Sequence, residues 1–148
     1  MTTRILIIAH APLASALREA VLHVYPDAGD RVLAQDVLAQ ESIEETIERA
    51  KHLLNSCNEN SVLVLTDVFG ATPCNVAQKI VDGDRCKLIS GVNLPMLWRT
   101  VNYLHEPLEI LVSRAIAGGT QSIMQVSVTA PQIQQRKKHD FNSHDHNQ

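Results

Sequence analysis

The sequence predicts an α/β protein: a doubly wound, mainly parallel four-stranded sheet with helices on both faces and an additional C-terminal strand. Two observations predict it. Short, continuously apolar runs of strand length alternate with segments whose apolar residues recur at helical spacing. The runs also end at polar or turn-forming residues, as strands do when a helix follows each of them.

The first run, Arg4 to Ala9, is apolar from Ile5 onward, as in a strand buried on both faces of a parallel sheet. Pro12 then opens a helix with Leu13, Leu17, Ala20, Val21 and Val24 on one face. Pro26 to Asp30 reads as a turn, and Val32 to Asp36 as a second strand. Ser42 and Glu45 form a capping box ahead of Ile43, Ile47, Ala50 and Leu54, with Glu45 and Arg49 placed to pair on the solvent face.

Ser61 to Thr66 is the third strand and ends at Asp67. Thr72 and Pro73 then read as an N-cap and a first helical position. Lys87 to Ser90 is the fourth strand, and Gly91-Val92-Asn93 turns into a helix with Leu94, Leu97, Val101 and Leu104 on one side. A last helix runs from about Pro107 to Ala117 and is expected to stop at Gly118-Gly119. Met124, Val126 and Val128 alternate with polar residues as in a strand. Residues 1–130 form the expected domain; residues 131–148 are polar and expected to be a mobile tail.

Composition narrows the function. The chain has 148 residues, a net charge of −3 and only 3% aromatic residues, which offers neither the basic footprint nor the stacking platforms of a nucleic-acid binder. Three cysteines without C-x-x-C spacing argue against a disulfide framework or structural zinc, and for a reducing compartment. No stretch approaches the roughly 18 apolar residues of a membrane span, and the N-terminus lacks a secretory signal, so a cytoplasmic location is expected.

In a doubly wound sheet, ligands bind outside the carboxyl ends of the strands, where strand order reverses. His10 lies at the end of the first strand, Asp67 at the end of the third, and Gly91 to Asn93 at the end of the fourth. A histidine beside a carboxylate suits a nucleophilic imidazole: one ring nitrogen needs a free lone pair while the other gives its proton to the carboxylate. His10 is therefore the candidate nucleophile and Asp67 its orienting partner. The loop Gly70-Ala71-Thr72 precedes a helix N-terminus, whose N–H groups and dipole receive an anion; the same residues also suit a plain helix cap. Cys74 reads as a small buried hydrophobe, and His23, His52 and His105 as surface residues.

Three segments carry a resemblance: ILIIAH ending at His10, LVLTDVFGATPCN from Leu63 to Asn75, and SGVNLPML from Ser90 to Leu97. Together they resemble the EIIA subunit of the mannose family of the bacterial phosphoenolpyruvate:sugar phosphotransferase system, over roughly residues 3 to 128. The resemblance implies a phosphohistidine carrier that takes a phosphoryl group from HPr onto His10 and passes it to EIIB for sugar uptake, without metal or cofactor. It implies Nε2 as the attacking atom, with Nδ1–H held by Asp67. It also implies a homodimer that can exchange its C-terminal strand. Two proteins docking in turn at His10 call for a shallow apolar rim, with Pro12, Leu13, Phe69, Leu94 and Met96 as candidates; Leu13 and Leu94 fit the core as well.

Other readings stay open on the sequence. A regulatory EIIA would report its phosphorylation state to an enzyme or transcription factor, with no sugar transported. The related group that feeds dihydroxyacetone kinase usually lacks the G-x-[ST]-P-x-N pattern present here. A signalling receiver would need an acidic pair after the first strand, where His10 stands instead. A binding module without phosphochemistry would leave His10 and Asp67 apart.

Overall fold

The structure, a computed structural model, describes residues 2–58 and 60–128. Its elements run β1 (Arg4–His10), α1 (Leu13–Val24), β2 (Val32–Val37), α2 (Ile43–Ser56), β3 (Val62–Thr66), α3 (Thr72–Ile80), β4 (Cys86–Ser90), α4 (Leu94–Asn102) and α5 (Leu108–Gln121). The four strands are parallel in the order β2-β1-β3-β4. β1 and β3 occupy the centre, and this is why their sequences are apolar without alternation: Ile5 to Ala9 and Val62 to Leu65 are all fully buried.

One face of the sheet, through Ile5, Ile7, Leu63 and Leu65, packs against α1, α4 and α5. The other, through Leu6, Ile8, Val62 and Val64, packs against α2 and α3. Each such side chain withdrawn from water contributes roughly 1.5–3 kcal/mol. Strand order reverses between β1 and β3, since β1 leads outward to β2 while β3 leads to β4 on the other side. The predicted doubly wound sheet with helices on both faces is therefore present.

Several details differ from expectation, each for a tertiary reason. α5 does not stop at Gly118-Gly119 but continues to Gln121. The two glycines serve close packing: a Cβ at Gly118 would lie 2.7 Å from Arg99 Cβ, and one at Gly119 2.9 Å from Met96 Cε. Asn93 Nδ2 also donates to Gly119 O (3.1 Å) across this contact. Arg49 pairs with Glu41 (2.7 Å), not Glu45, because the Glu41 carboxylate is largely buried and already accepts from the Thr46 hydroxyl.

Among the described residues the additional C-terminal strand is not formed. Residues 123–128 keep their alternation but have no strand beside them, and Ile123, Met124, Val126 and Val128 stand in solvent. The segment 131–148, with His139, His144 and His146, lies outside the described residues.

Candidate functional site

Pairing of Ile8 with Thr66 sets the register that brings His10 and Asp67 together at the carboxyl edge of the sheet. His10 is the last residue of β1 and its side chain is 54% exposed, whereas the Asp67 side chain is only 7% exposed. Asp67 Oδ2 accepts from the His10 backbone N–H (2.9 Å) and stands 2.7 Å from ring Nδ1. Oδ1 accepts from the Val68 N–H (2.8 Å). Burial acts to raise the Asp67 carboxyl, but these hydrogen bonds outweigh it and hold the group below its ordinary value.

The tautomer follows from that ionisation. A carboxylate has no proton to give, so Nδ1 carries the hydrogen between the two groups. In the neutral ring the lone pair is then on Nε2, the nitrogen that Asp67 does not touch. A histidine fixed twice by one carboxylate, through its backbone and its ring, has little rotational freedom left.

Gly70 turns the chain beyond Asp67 with φ +85°, a conformation that side-chain-bearing residues resist. α3 then begins at Thr72, with Ala71 as an extended N-cap that has no side-chain acceptor and with Pro73 as the second helical residue. Thr72 is thus inside the helix and not its cap. Among the described residues, the N–H groups of Thr72 and Cys74 meet no protein acceptor. The other three helices that start at this edge are served by side chains: Asp36 accepts from Ser15 N in α1 (3.0 Å), Ser42 from Glu45 N in α2 (3.1 Å), and Asn93 from Met96 N in α4 (2.9 Å).

Around His10 the surface is apolar. Pro12 and Phe69 are exposed, Phe69 by 76%, while Leu94 is half-buried. Met96 does not belong to this rim: it is buried against α5, where the Gly118-Gly119 contact draws α4 and α5 together. Leu38, Ile43 and Val68 are exposed at the same edge and were not anticipated. Their signal was an apolar side chain just past a strand end or at the first turn of a helix, where the core has already ended. Cys57, Cys74 and Cys86 are free and buried, and His23, His52 and His105 lie on the surface.

Among the described residues no three His, Cys, Asp or Glu side chains come together as a metal set. No described helix is long and apolar enough to cross a membrane.

A doubly wound sheet that presents a carboxylate-held imidazole at its switch point has the architecture of phosphotransferase-system IIA components. Residues 4–109 match the EIIA-man family, described as PTS system fructose IIA component, and the chain belongs to that family. A fructose-specific EIIA component of Bacillus subtilis is 29% identical over 121 residues, covering 80% of this chain and 82% of the relative. The sorbose-specific EIIA component of Lacticaseibacillus casei is 27% identical over 94 residues, covering 63% and 67%. Among solved structures, a phosphotransferase system EIIA component from Streptococcus agalactiae superposes with a TM-score of 0.73 at 25% identity, over 83% of this chain and 96% of that one. The mannose/sorbose-specific IIA subunit from Enterococcus faecalis shares the fold, with a TM-score of 0.79 at 19% identity over 88% and 98%. Family membership supports a phosphocarrier role in sugar transport.

Proposed function

We propose that the chain is a phosphohistidine carrier that accepts a phosphoryl group from HPr on His10 Nε2 and passes it to an EIIB partner for sugar uptake. The observation that carries this reading is the Asp67 carboxylate on the Nδ1 side of His10, which leaves Nε2 free on a half-exposed side chain. In the accepting step the Nε2 lone pair forms a bond to phosphorus, and the P–N bond to the donor imidazole breaks with its electron pair returning to the donor nitrogen. The Nδ1 proton stays on the ring, and Asp67 balances the positive charge that develops there. Passage to EIIB reverses these roles. No metal or redox partner is needed.

Gly70, Ala71 and Thr72 are assigned to the phosphoryl oxygens, since α3 is the one helix at this edge whose first turn lacks a side-chain acceptor. The four connections here, residues 11–12, 38–42, 67–71 and 91–93, contain no Lys or Arg; of their acidic residues Asp67 holds His10 and Glu41 is paired with Arg49 of α2. The N-terminus of α3 offers the transferring group the positive end of a helix dipole. An exposed apolar rim of Pro12, Leu13, Leu38 and Phe69 suits partners with apolar docking surfaces.

The exposed alternation at 123–128 supports a homodimer in which this segment completes its pairing on a second copy. Three buried free thiols fit a cytoplasmic location.

The test is incubation with enzyme I, HPr and phosphoenolpyruvate, read by intact mass. Wild type gains one acid-labile phosphoryl group and His10→Ala gains none. Labelling of His10→Ala, or no labelling of wild type by cognate carriers, overturns the reading.

A further inference from the structure

One side chain serves two helices at the carboxyl edge. α4 begins there and α5 ends there, and Asn93 stands between them. Its Oδ1 accepts from the Met96 N–H in the first turn of α4 (2.9 Å), while its Nδ2 donates to the Gly119 carbonyl in the last turn of α5 (3.1 Å). Oδ1 alone would complete an ordinary N-cap, as the Ser42 hydroxyl does for α2. The second bond needs the donor half of the amide. On its other side the loop before Asn93 is tied to the transfer site. The Gly91 and Val92 N–H groups both donate to the Thr66 carbonyl (2.9 and 3.0 Å), one residue before Asp67. Leu94, next to Asn93, is the half-buried member of the apolar rim, and α4 lies beside α1, whose Leu13 is exposed at the same edge.

We propose that Asn93 is a positioning residue for donor docking: by joining the start of α4 to the end of α5 with one amide, it fixes Leu94 within the rim around His10. This rests on the phosphocarrier reading above. Without the Gly119 bond, α4 keeps its cap but loses its brace, and Leu94 and Leu13 no longer hold one surface. A docking surface that must be ordered again at each encounter binds more weakly. The chemistry at His10 and Asp67 is untouched. The effect therefore falls on KM and not on kcat.

The test measures phosphoryl acceptance as the concentration of phosphorylated HPr is varied. Asn93→Asp keeps an acceptor for the Met96 N–H but cannot donate to Gly119. Gly119→Ala leaves Asn93 and the net charge alone. Its Cβ would stand 2.9 Å from Met96 Cε and 3.4 Å from Asn93 Oδ1, so it parts the two helices from the other side. Each variant should raise KM about threefold, the scale of one net hydrogen bond, with kcat unchanged. The double variant should be no worse than either, since both break one contact.

An Asn93 that only caps α4 would leave the KM of Asn93→Asp at the wild-type value, and that result overturns the proposal. A rise in Asn93→Asp without one in Gly119→Ala would mark the added charge and overturns it too. In wild type, the backbone amide resonances of Leu94 and Met96 should shift when unphosphorylated HPr is added; silence there overturns the proposal even if neither variant folds. Failure of wild type to become phosphorylated would instead overturn the carrier reading, whereas a wild type that accepts normally beside variants of unchanged KM overturns this inference alone.

Discussion

The two edges of the sheet are built to opposite ends. At the amino edge the chain satisfies itself. Asp82 Oδ1 accepts from Asp84 N and Cys86 N (both 2.9 Å), Arg85 donates to the Asn58 carbonyl, and Lys87 meets Glu109 (3.6 Å). At the carboxyl edge the connections carry no Lys or Arg, leave Leu38, Ile43, Val68 and Phe69 exposed, and hold a half-exposed imidazole by a buried carboxylate. The difference teaches where each kind of interaction is used. The amino edge spends its polar groups on closing turns, while the carboxyl edge leaves α3 unserved and its apolar side chains uncovered, as a surface for transient docking needs.

The sharpest way to break this comparison, after His10→Ala, is at Asp67. Asp67→Ala removes tautomer control and should slow phosphoryl acceptance by about two decades, with the fold retained by circular dichroism. An unchanged rate would make Asp67 a structural group like Asp82. Its pH signature is also defined. Burial acts to raise the Asp67 carboxyl, the His10 and Val68 hydrogen bonds lower it by more, and the net is a value below the ordinary one. A depressed folded value means that the stabilisation is fully present above the unfolded carboxyl pKa of about 3.9 and is lost as pH falls through the folded value. The melting-temperature advantage of wild type over Asp67→Ala should therefore be flat from neutral pH down to mildly acidic pH and shrink below that range.

Next in size is Phe69→Ala. Phe69 touches solvent over most of its surface, so its removal should spare stability and raise the apparent KM for the phosphorylated donor about fivefold, with a smaller change in kcat. No change in KM would remove Phe69 from the rim. The smallest effect is expected at the amino edge: Asp82→Ala should lower the melting temperature slightly and leave phosphorylation kinetics untouched. A slowed Asp82→Ala would mean that the two edges are coupled.

Much of this was legible in the chain, and for a physical reason. β1 and β3 announce themselves because a strand buried on both faces must be apolar at successive positions. His10 and Asp67 were legible because His10 is the first polar residue after one such run and Asp67 follows Thr66 at the end of the other, and parallel central strands bring their ends to one edge. The Ser42 cap was legible because its partner lies three residues away.

Errors arose where a residue's partner is remote in sequence. Gly118-Gly119 looks like a stop signal from within its own helix, and only the approach of Arg99 and Met96 shows that it is a contact. Arg49 has Glu45 one helical turn before it in sequence, yet it pairs with the buried carboxylate of Glu41. Met96 belongs to a motif near His10, yet it points into the α4–α5 contact.

By itself, then, the sequence determined the strand and helix order, the placement of His10 and Asp67, and the loop at Gly70 to Thr72, because local periodicity and turn chemistry act over a few residues. Tertiary structure alone decided that Asp36 of β2 accepts from Ser15 in the first turn of α1 while α3 has no side-chain acceptor in its first turn, and that residues 123–128 leave the body with their apolar side chains exposed. These depend on which elements lie side by side, and a hydrogen bond or an apolar contact is set by distance in space, not by distance along the chain.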